Sequence, residues 1–474
     1  MMSPPRTPIR TADDLRGRRT VVLGLARSGV AACRFLADAG ADVVAYDRRP
    51  ASELADAVNA LGARPVRLAL GVDEMAAVAV LEHADLLVTS PSVSPRFNTT
   101  DPWLRDALGA AEARGAELVS EVELFLRLTR ARVLGVTGTK GKTTTSSLVA
   151  AMLSRGGLPH VLGGNIGTPL IERATELGSD DWAILELSEL QLPTITRGAD
   201  VALYTNIGED HLDRHETVEA YRAVKARLAE LTAPTGRVVL NHDDAGCRAL
   251  GDRLSPASVA WYGMSEPRRG RVEAWIDAEG WVIVAGERLL PARAVPLPGR
   301  HMLSNVLGAS LGAMLAGAET IAIGAAIGAF EGVPHRLELV AERDGVRWIN
   351  DSQATIPVAA IAALEAFDSP IILISGGKDK GLSYDAFADA IATHARAAVL
   401  IGETADELAA QIGDRVRVER ARDMAAAVAA AAGFASRGDV VLLAPAAASF
   451  DMFADYAARG DAFRAAVDAL TEER

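Results

Sequence analysis

Short runs of aliphatic and β-branched residues alternate along the chain with longer alanine-rich stretches, and the alternation recurs in three sections. Many of these runs are apolar at every position, which suits a parallel strand covered by helices on both faces. The first section opens on Thr20-Val21-Val22-Leu23-Gly24, turns at glycine and continues as a helix over residues 30–36. Residues 42–46 read as a second strand ending at Asp47, and residues 85–89 as a later one running into Ser90-Pro91-Ser92. The second section starts at Arg132-Val133-Leu134-Gly135-Val136 and ends near Val333. The third carries strand-like runs at 346–351, 371–376, 398–402 and 440–445. The pattern predicts an α/β protein of three domains: a Rossmann-like N-terminal domain (1–130), a central parallel-sheet domain (131–333) and a C-terminal Rossmann-like domain (334–474).

Composition narrows the class. Of 474 residues 49% are hydrophobic and 23% charged, which excludes disorder as the main state. The formal net charge of -13 disfavours nucleic acid and anionic membrane, so a polyanionic ligand needs a local cluster of cations and backbone N–H groups. Cys33 and Cys247 are too few and too far apart for a disulfide framework or a metal-binding motif. Residues 1–19 lack the apolar core of a signal peptide. The apolar stretch 310–330 is mostly alanine and glycine and is interrupted by Glu319, so it reads as buried helices joined by a turn. The expectation is a cytoplasmic protein, a monomer, without membrane insertion or nucleic-acid binding.

The sharpest chemical signal is Thr137-Gly138-Thr139-Lys140-Gly141-Lys142-Thr143-Thr144, between an apolar strand and a helical run over 146–153. Glycines there let backbone N–H groups turn toward an anion, and the following helix adds the positive end of its dipole. Lys142 would reach the β- and γ-phosphates and Thr143 would ligate Mg²⁺, so the loop predicts an ATP site and a P-loop domain. Five residues separate Gly135 from Gly141, where the common loop has four.

Two more strands should deliver groups to the same sheet edge, because ligands bind beyond the carboxyl ends of parallel strands. The apolar run 182–185 ends at Glu186 and Ser188, and the run 201–207 leads into Glu209-Asp210-His211. On the next helix Val218, Tyr221, Val224, Leu228 and Leu231 form one apolar stripe, with Lys225 at its edge. The wheel by itself favours a snorkelling Lys225, its stem packed and its amine in water. The alternative is a buried amine that exists in part neutral and reacts with CO₂ to give a carbamate, an oxygen ligand for Mg²⁺.

These residues resemble the Mur ligases, which build the peptide stem of bacterial cell-wall precursors. The similarity rests on residues 137–144, Gly163-Gly164-Asn165-Ile166-Gly167, Leu185-Glu186-Leu187-Ser188, Glu209-Asp210-His211-Leu212-Asp213-Arg214, 221–225, 301–305, Pro334-His335-Arg336 and Asn350-Asp351-Ser352. It spans nearly the whole chain in family order. Gly24-Leu25-Ala26-Arg27-Ser28-Gly29 and Ala444-Pro445-Ala446-Ala447-Ala448-Ser449 point to the glutamate-adding branch. The resemblance implies ligation of UDP-N-acetylmuramoyl-L-alanine to glutamate through an acyl phosphate. It implies ATP on Gly138, Thr139, Lys140, Gly141, Lys142, Thr143 and Thr144, with Asn305 at adenine and Arg336 and Asp351 closing over the nucleotide. A first Mg²⁺ falls to Thr143 and Glu186, and a second to His211 and a carbamylated Lys225. Lys142, His211, Lys225 and Arg336 are thereby the implied catalytic set. Arg27, Ser28, Asp47, Arg48, Ser90 and Pro91 fall on UDP-binding positions, Asn165, Ser188 and Gln191 near the muramoyl-alanine part, and Lys380, Ser449 and Tyr456 at the incoming glutamate.

Some positions depart from the family pattern. Gln353 stands where a lysine is usual, Met302 and Lys140 where asparagine is common, and Glu189 where serine is common. A subfamily that uses L-glutamate also lacks that lysine, so both stereoisomers stay open at this point. Two other classes compete. A nucleotide-dependent oxidoreductase would use the first section, but Gly24-x-Ala26-x-x-Gly29 lacks the middle glycine that lets a pyrophosphate approach. A regulatory P-loop ATPase would need neither Lys225 nor Arg336.

Overall fold

The computed structural model describes residues 8–97, 99–208, 217–265, 272–297 and 299–470, and within them three sheets follow one another. The first holds β1 (Arg19–Leu23), β2 (Asp42–Asp47), β3 (Val66–Leu70), β4 (Leu86–Thr89) and β5 (Glu117–Ser120). All neighbouring pairs are parallel, in the order β3-β2-β1-β4-β5. The chain leaves β1 toward β2 on one side and returns to β4 on the other, which opens a crevice at the carboxyl edge.

The second sheet comprises β6 (Arg132–Thr137), β7 (His160–Gly164), β8 (Trp182–Glu186), β9 (Val201–Tyr204), β10 (Arg237–Asn241), β11 (Val259–Tyr262), β12 (Val272–Ile276), β13 (Trp281–Val284) and β14 (Glu287–Pro291). Their order is β14-β13-β12-β11-β10-β9-β6-β8-β7, parallel except for the antiparallel edge β12-β13-β14. β6 lies between β8 and β9, and all residues of β8 and β9 are buried, as their unbroken apolar runs require. The third sheet has β15 (Glu338–Arg343), β16 (Val346–Asn350), β17 (Ile371–Gly376), β18 (Ala395–Ile401), β19 (Arg417–Arg420) and β20 (Val440–Leu443), in the order β15-β16-β20-β17-β18-β19. Only its first pair is antiparallel. The three-domain α/β expectation therefore holds.

The chain forms two compact units, Met1–Phe330 and Glu331–Arg474. Within the first unit one continuous apolar core joins the first two sheets, with Val122, Phe125 and Leu126 of the helix Glu121–Leu128 among its members. The stretch 310–330 is the end of the helix Arg300–Leu315, a turn, and the helix Thr320–Gly328. Among the described residues, no helix is long and apolar enough to cross a membrane.

β9 ends at Tyr204 and does not run to residue 207: the Thr205 amide still donates to the Thr137 carbonyl at 3.0 Å, but the Thr205 and Asn206 side chains turn to the glycine-loop backbone. Tyr204 itself organises the helix Val218–Glu230. Its buried hydroxyl donates to the Lys225 carbonyl at 2.8 Å and accepts from the Ala229 amide at 2.9 Å, bridging one turn of that helix. A side chain inserted in this way fixes the helix against the sheet. Tyr204→Phe should therefore lower stability by about 1–3 kcal/mol, read as a fall in the denaturation midpoint at unchanged slope.

Candidate active site

At the end of β6 the chain enters the glycine loop and then the helix Lys142–Arg155. The loop needs its glycines. Gly141 sits at φ +84, and a Cβ there would stand 2.5 Å from Asn305 Oδ1; one on Gly138 would stand 1.9 Å from Thr205 Oγ1. Polar groups just beyond β9 pin the loop. Asn206 accepts from the Thr139 amide at 3.0 Å through its carbonyl, and from the Lys140 amide at 2.9 Å through Oδ1. The Lys140 carbonyl in turn accepts from Thr205 Oγ1 at 2.6 Å and Asn206 Nδ2 at 3.0 Å. Thr143 and Thr144 are buried in the first turn of the helix.

Two lysines meet at one carbonyl. Lys142 Nζ donates to Gly138 O at 2.9 Å and Thr139 O at 3.0 Å, while Lys225 Nζ donates to the same Gly138 O at 3.0 Å. Lys225 is completely buried and also reaches Thr137 Oγ1 at 3.4 Å, which overturns the snorkelling reading. The wheel placed it at a stripe edge, but the glycine loop covers that edge and supplies the amine with oxygen acceptors instead of water. One turn earlier, the Tyr221 hydroxyl is 3.0 Å from Thr139 Oγ1, and the Tyr221 ring centroid is 5.4 Å from Lys225 Nζ.

Glu186 ends β8 in register with Val136 of β6 and is almost wholly buried. Its Oε1 accepts from Asn165 Nδ2 at 2.9 Å, and the Asn165 amide donates to the Glu186 carbonyl at 2.8 Å. Its Oε2 has no hydrogen-bond partner among the described residues. A buried carboxylate oxygen left open is costly, and a cation would offset the cost. No group of three His, Cys, Asp or Glu side chains gathers among the described residues, so a cation at Glu186 would draw its other oxygens from hydroxyl, phosphate or carbamate groups. This donor set suits Mg²⁺, with the Thr143 hydroxyl close by in sequence to the loop. His211 lies outside the described residues. Asn305 stands on the helix Arg300–Leu315 against Gly141.

A second cavity in the same unit opens at the carboxyl edge of the first sheet, lined in part by Ser28, Gly29, Ser90, Pro91, Glu121 and Gln191. Gly29 is required there, since a Cβ would meet the Gly24 carbonyl oxygen at 1.8 Å. Asp47 is committed to the turn itself. Its carboxylate accepts from the Leu25 amide at 2.8 Å and from the Arg49 amide and guanidinium at 2.9–3.1 Å. Burial opposes its charge, but those donors outweigh burial and hold its pKa below the ordinary value. Arg48 pairs with Asp101, and Arg27 reaches the Gly167 carbonyl at 3.4 Å. Ser188 donates to Gln191 Oε1 through its amide at 2.9 Å and its hydroxyl at 3.2 Å. Glu121 accepts from the Ile171 amide at 3.0 Å, and burial pushes its carboxyl up to about 7.

In the unit Glu331–Arg474 Arg336 lies just before β15, bridged to Val333, and the other candidates follow the carboxyl ends of β16, β17 and β20. Asp351 follows β16, where burial raises its carboxyl to about 6 against the opposing pull of the Leu337 amide and the Arg336 charge. Lys380, beyond β17, donates to the Thr355 carbonyl at 3.0 Å, and burial lowers its pKa, helped by the nearby Arg459. Ser449 is buried beyond β20, and Tyr456 opens the helix Tyr456–Ala469 edge-on to the His335 ring at 6.2 Å. Arg459, Arg49 and Glu121 were not among the residues expected from sequence. Arg459 is fully buried and donates to the carbonyls of Ala447, Ala448 and Ser352 and to Ser352 Oγ, at 3.0–3.1 Å. Its signal was present: it shares a helical stripe with Phe463 and Val467.

Comparison with known proteins covers the same three regions. Residues 18–119 match the Mur ligase MurD-like N-terminal domain, 136–313 the Mur ligase middle domain, and 335–447 the Mur ligase glutamate ligase domain. The chain is 40% identical to the UDP-N-acetylmuramoylalanine–D-glutamate ligase of Solibacter usitatus, over 96% of this chain and 99% of that protein. It is 37% identical to the enzyme of the same name from Caldanaerobacter subterraneus subsp. tengcongensis, again over 96% and 99%. Among solved structures, UDP-N-acetylmuramate-alanine ligase MurC from Thermotoga maritima superposes with a TM-score of 0.56 at 16% identity, covering 96% of this chain and 100% of that one. That likeness speaks to the fold.

The loop geometry yields a direct check. Gly141→Ala combines a left-handed backbone position, which costs about 1–3 kcal/mol for a residue with Cβ, with a collision at Asn305. The variant should bind ATP at least about tenfold more weakly in a titration, and its thermal midpoint should fall by several degrees.

Proposed function

The chain belongs to the Mur ligase family, and we propose that its reaction is the ATP-dependent attachment of D-glutamate to UDP-N-acetylmuramoyl-L-alanine during synthesis of peptidoglycan precursors. The observation that carries the proposal is the open carboxylate oxygen of Glu186 beside a glycine loop on which two lysines converge. Choice of the D isomer is supported by near-full-length relatives named as D-glutamate ligases.

In the first step a carboxylate oxygen of the alanyl group forms a bond to the γ-phosphorus, and the bond from that phosphorus to the bridging oxygen of ADP breaks. Two anions meet, so the barrier is largely electrostatic. Lys142, exchanging the Gly138 and Thr139 carbonyls for phosphate oxygens, would neutralise part of this charge, and the amides of the helix Lys142–Arg155 would hold the rest in place. In the second step the amine of glutamate attacks the acyl carbon, phosphate leaves, and the amine loses its proton. Thr143 and Glu186 would hold one Mg²⁺, with His211 and a carbamylated Lys225 holding a second. When bound, Mg²⁺ supplies charge neutralisation and alignment of phosphate oxygens. The Lys225 ammonium would first lose a proton, and addition of the neutral amine to CO₂ would release a second, turning one of the two cations at the Gly138 carbonyl into an anionic oxygen donor.

We assign the UDP portion to the cavity of Ser28, Ser90 and Pro91, flanked by Arg27, Asp47 and Arg48, with Asn165, Ser188 and Gln191 nearer the muramoyl-alanine end. Asn305 is assigned to adenine, Arg336 and Asp351 to the nucleotide, and Lys380, Ser449 and Tyr456 to glutamate. The free, buried Cys33 and Cys247 fit work in the reducing cytoplasm.

ADP release should require UDP-N-acetylmuramoyl-L-alanine and D-glutamate together. Equal turnover with L-glutamate, or turnover without either substrate, would refute the assignment. Lys225→Ala should lose nearly all ligation and regain part of it in added acetate, which can occupy the vacated position as a carboxylate; undiminished activity in that variant would rule out the carbamate.

A further inference from the structure

Glu121 stands immediately after β5, at the first position of the helix Glu121–Leu128, where a carboxylate could simply serve its own helix end. Ser120 does that instead, its hydroxyl accepting from the Glu123 amide at 3.1 Å. The Glu121 side chain turns away, is 7% exposed, and accepts from the amide of Ile171 at 3.0 Å, at the start of the short 3-10 turn Ile171–Arg173. The segment it holds continues backward through Gly167 to Asn165, whose side chain and backbone amide both bind Glu186. Two further contacts from the first-sheet region fasten the same segment: Arg27 to the Gly167 carbonyl, and Arg34 to Glu172 at 3.0 Å. Glu121 also lines the first-sheet cavity together with Gln191, and Gln191 holds Ser188, two residues beyond Glu186. One cavity thus has two walls tied to the chain on either side of the same carboxylate.

We propose that Glu121 is a positioning residue: by gripping the Ile171 amide it fixes the segment that presents Asn165 to Glu186, and so couples the nucleotide-sugar cavity to the phosphate-transfer site. The inference rests on the ligase reading given above. An isosteric amide keeps one acceptor oxygen for the Ile171 amide and alanine keeps none, so the two substitutions Glu121→Ala and Glu121→Gln separate the grip from mere volume. Residues that orient a metal-binding group typically contribute 10–100-fold to activity when removed.

The test is steady-state ligation with UDP-N-acetylmuramoyl-L-alanine, ATP and D-glutamate for the parent protein, Glu121→Ala, Glu121→Gln, Asn165→Ala and the double variant Glu121→Ala/Asn165→Ala. Glu121→Ala should lower kcat about tenfold or more with KM for ATP little changed, and Glu121→Gln should recover much of the loss. The double variant should be no slower than Asn165→Ala alone, because both changes break one chain of contacts. Normal kcat in Glu121→Ala, or losses that multiply in the double variant, would overturn the coupling. If Glu121→Ala does not fold, Glu121→Gln combined with Asn165→Ala decides by the same non-additivity. An inactive but folded parent protein would instead count against the ligase reading, which keeps the two failures apart.

Discussion

Two ammonium groups converge on a single backbone oxygen, the carbonyl of Gly138, and much of the central domain is arranged to make that possible. Lys142 arrives from the helix that follows the loop, and Lys225 from a helix more than eighty residues later that packs over the same sheet edge. Neither amine could be kept there by the loop alone. The loop is short of side chains, and its glycines adopt backbone angles that disfavour any other residue. Its shape is imposed from outside, by Thr205 and Asn206 beyond β9 and by Tyr221 on the Lys225 helix. The meeting of Lys142 and Lys225 at the glycine loop is thus a product of three separated chain segments.

Buried charge without an obvious partner marks each part of the molecule where chemistry is expected. Glu186 keeps one oxygen without a partner among the described residues at the edge of the central sheet, burial pushes the Glu121 carboxyl up to about 7 in the wall of the first-sheet cavity, and Arg459 is enclosed among carbonyl oxygens. Each arrangement costs stability, since ionic groups removed from water are compensated only by good geometry. Structural ion pairs elsewhere look different. Arg19 with Asp85 and Arg67 with Asp42 are direct pairs with at least one exposed member, which is how charges that only decorate a surface are found. Arg127 pairs with both Glu117 and the buried Glu123, and Glu123 also accepts from Thr196, so these charges are partnered within the protein.

The first-sheet cavity and the glycine loop belong to one compact unit and share one apolar core. That continuity matters for a reaction whose substrate is long. A nucleotide-sugar held at one sheet edge and phosphorylated at another must have both edges in a fixed relation, and a common core supplies it more reliably than a linker. The segment from Gly164 to Ile171, fastened at both ends, is the polar counterpart of that core.

Strand and helix positions were legible in the sequence because parallel strands buried on both faces are apolar at every position, and because glycine, lysine and threonine in the order of the phosphate loop have few other uses. Glu186 and Thr143 stood out by their places after a strand and in the glycine loop, Asn165 and Asn305 only through family resemblance; the fold sets Asn165 against Glu186 and Asn305 against Gly141. The wheel misjudged Lys225, since periodicity reports which face of a helix a residue occupies and not what covers that face. Asp47 was legible as an acid at a strand end, yet only the fold shows it spent on the Leu25 amide and Arg49. Glu121 and Arg459 escaped notice because their partners are backbone amides and carbonyls, which every residue possesses and no sequence advertises. Local pattern by itself determined the elements and the phosphate-binding loop; long-range packing decided which charges lose water and what they grip, because desolvation depends on neighbours that come from distant parts of the chain.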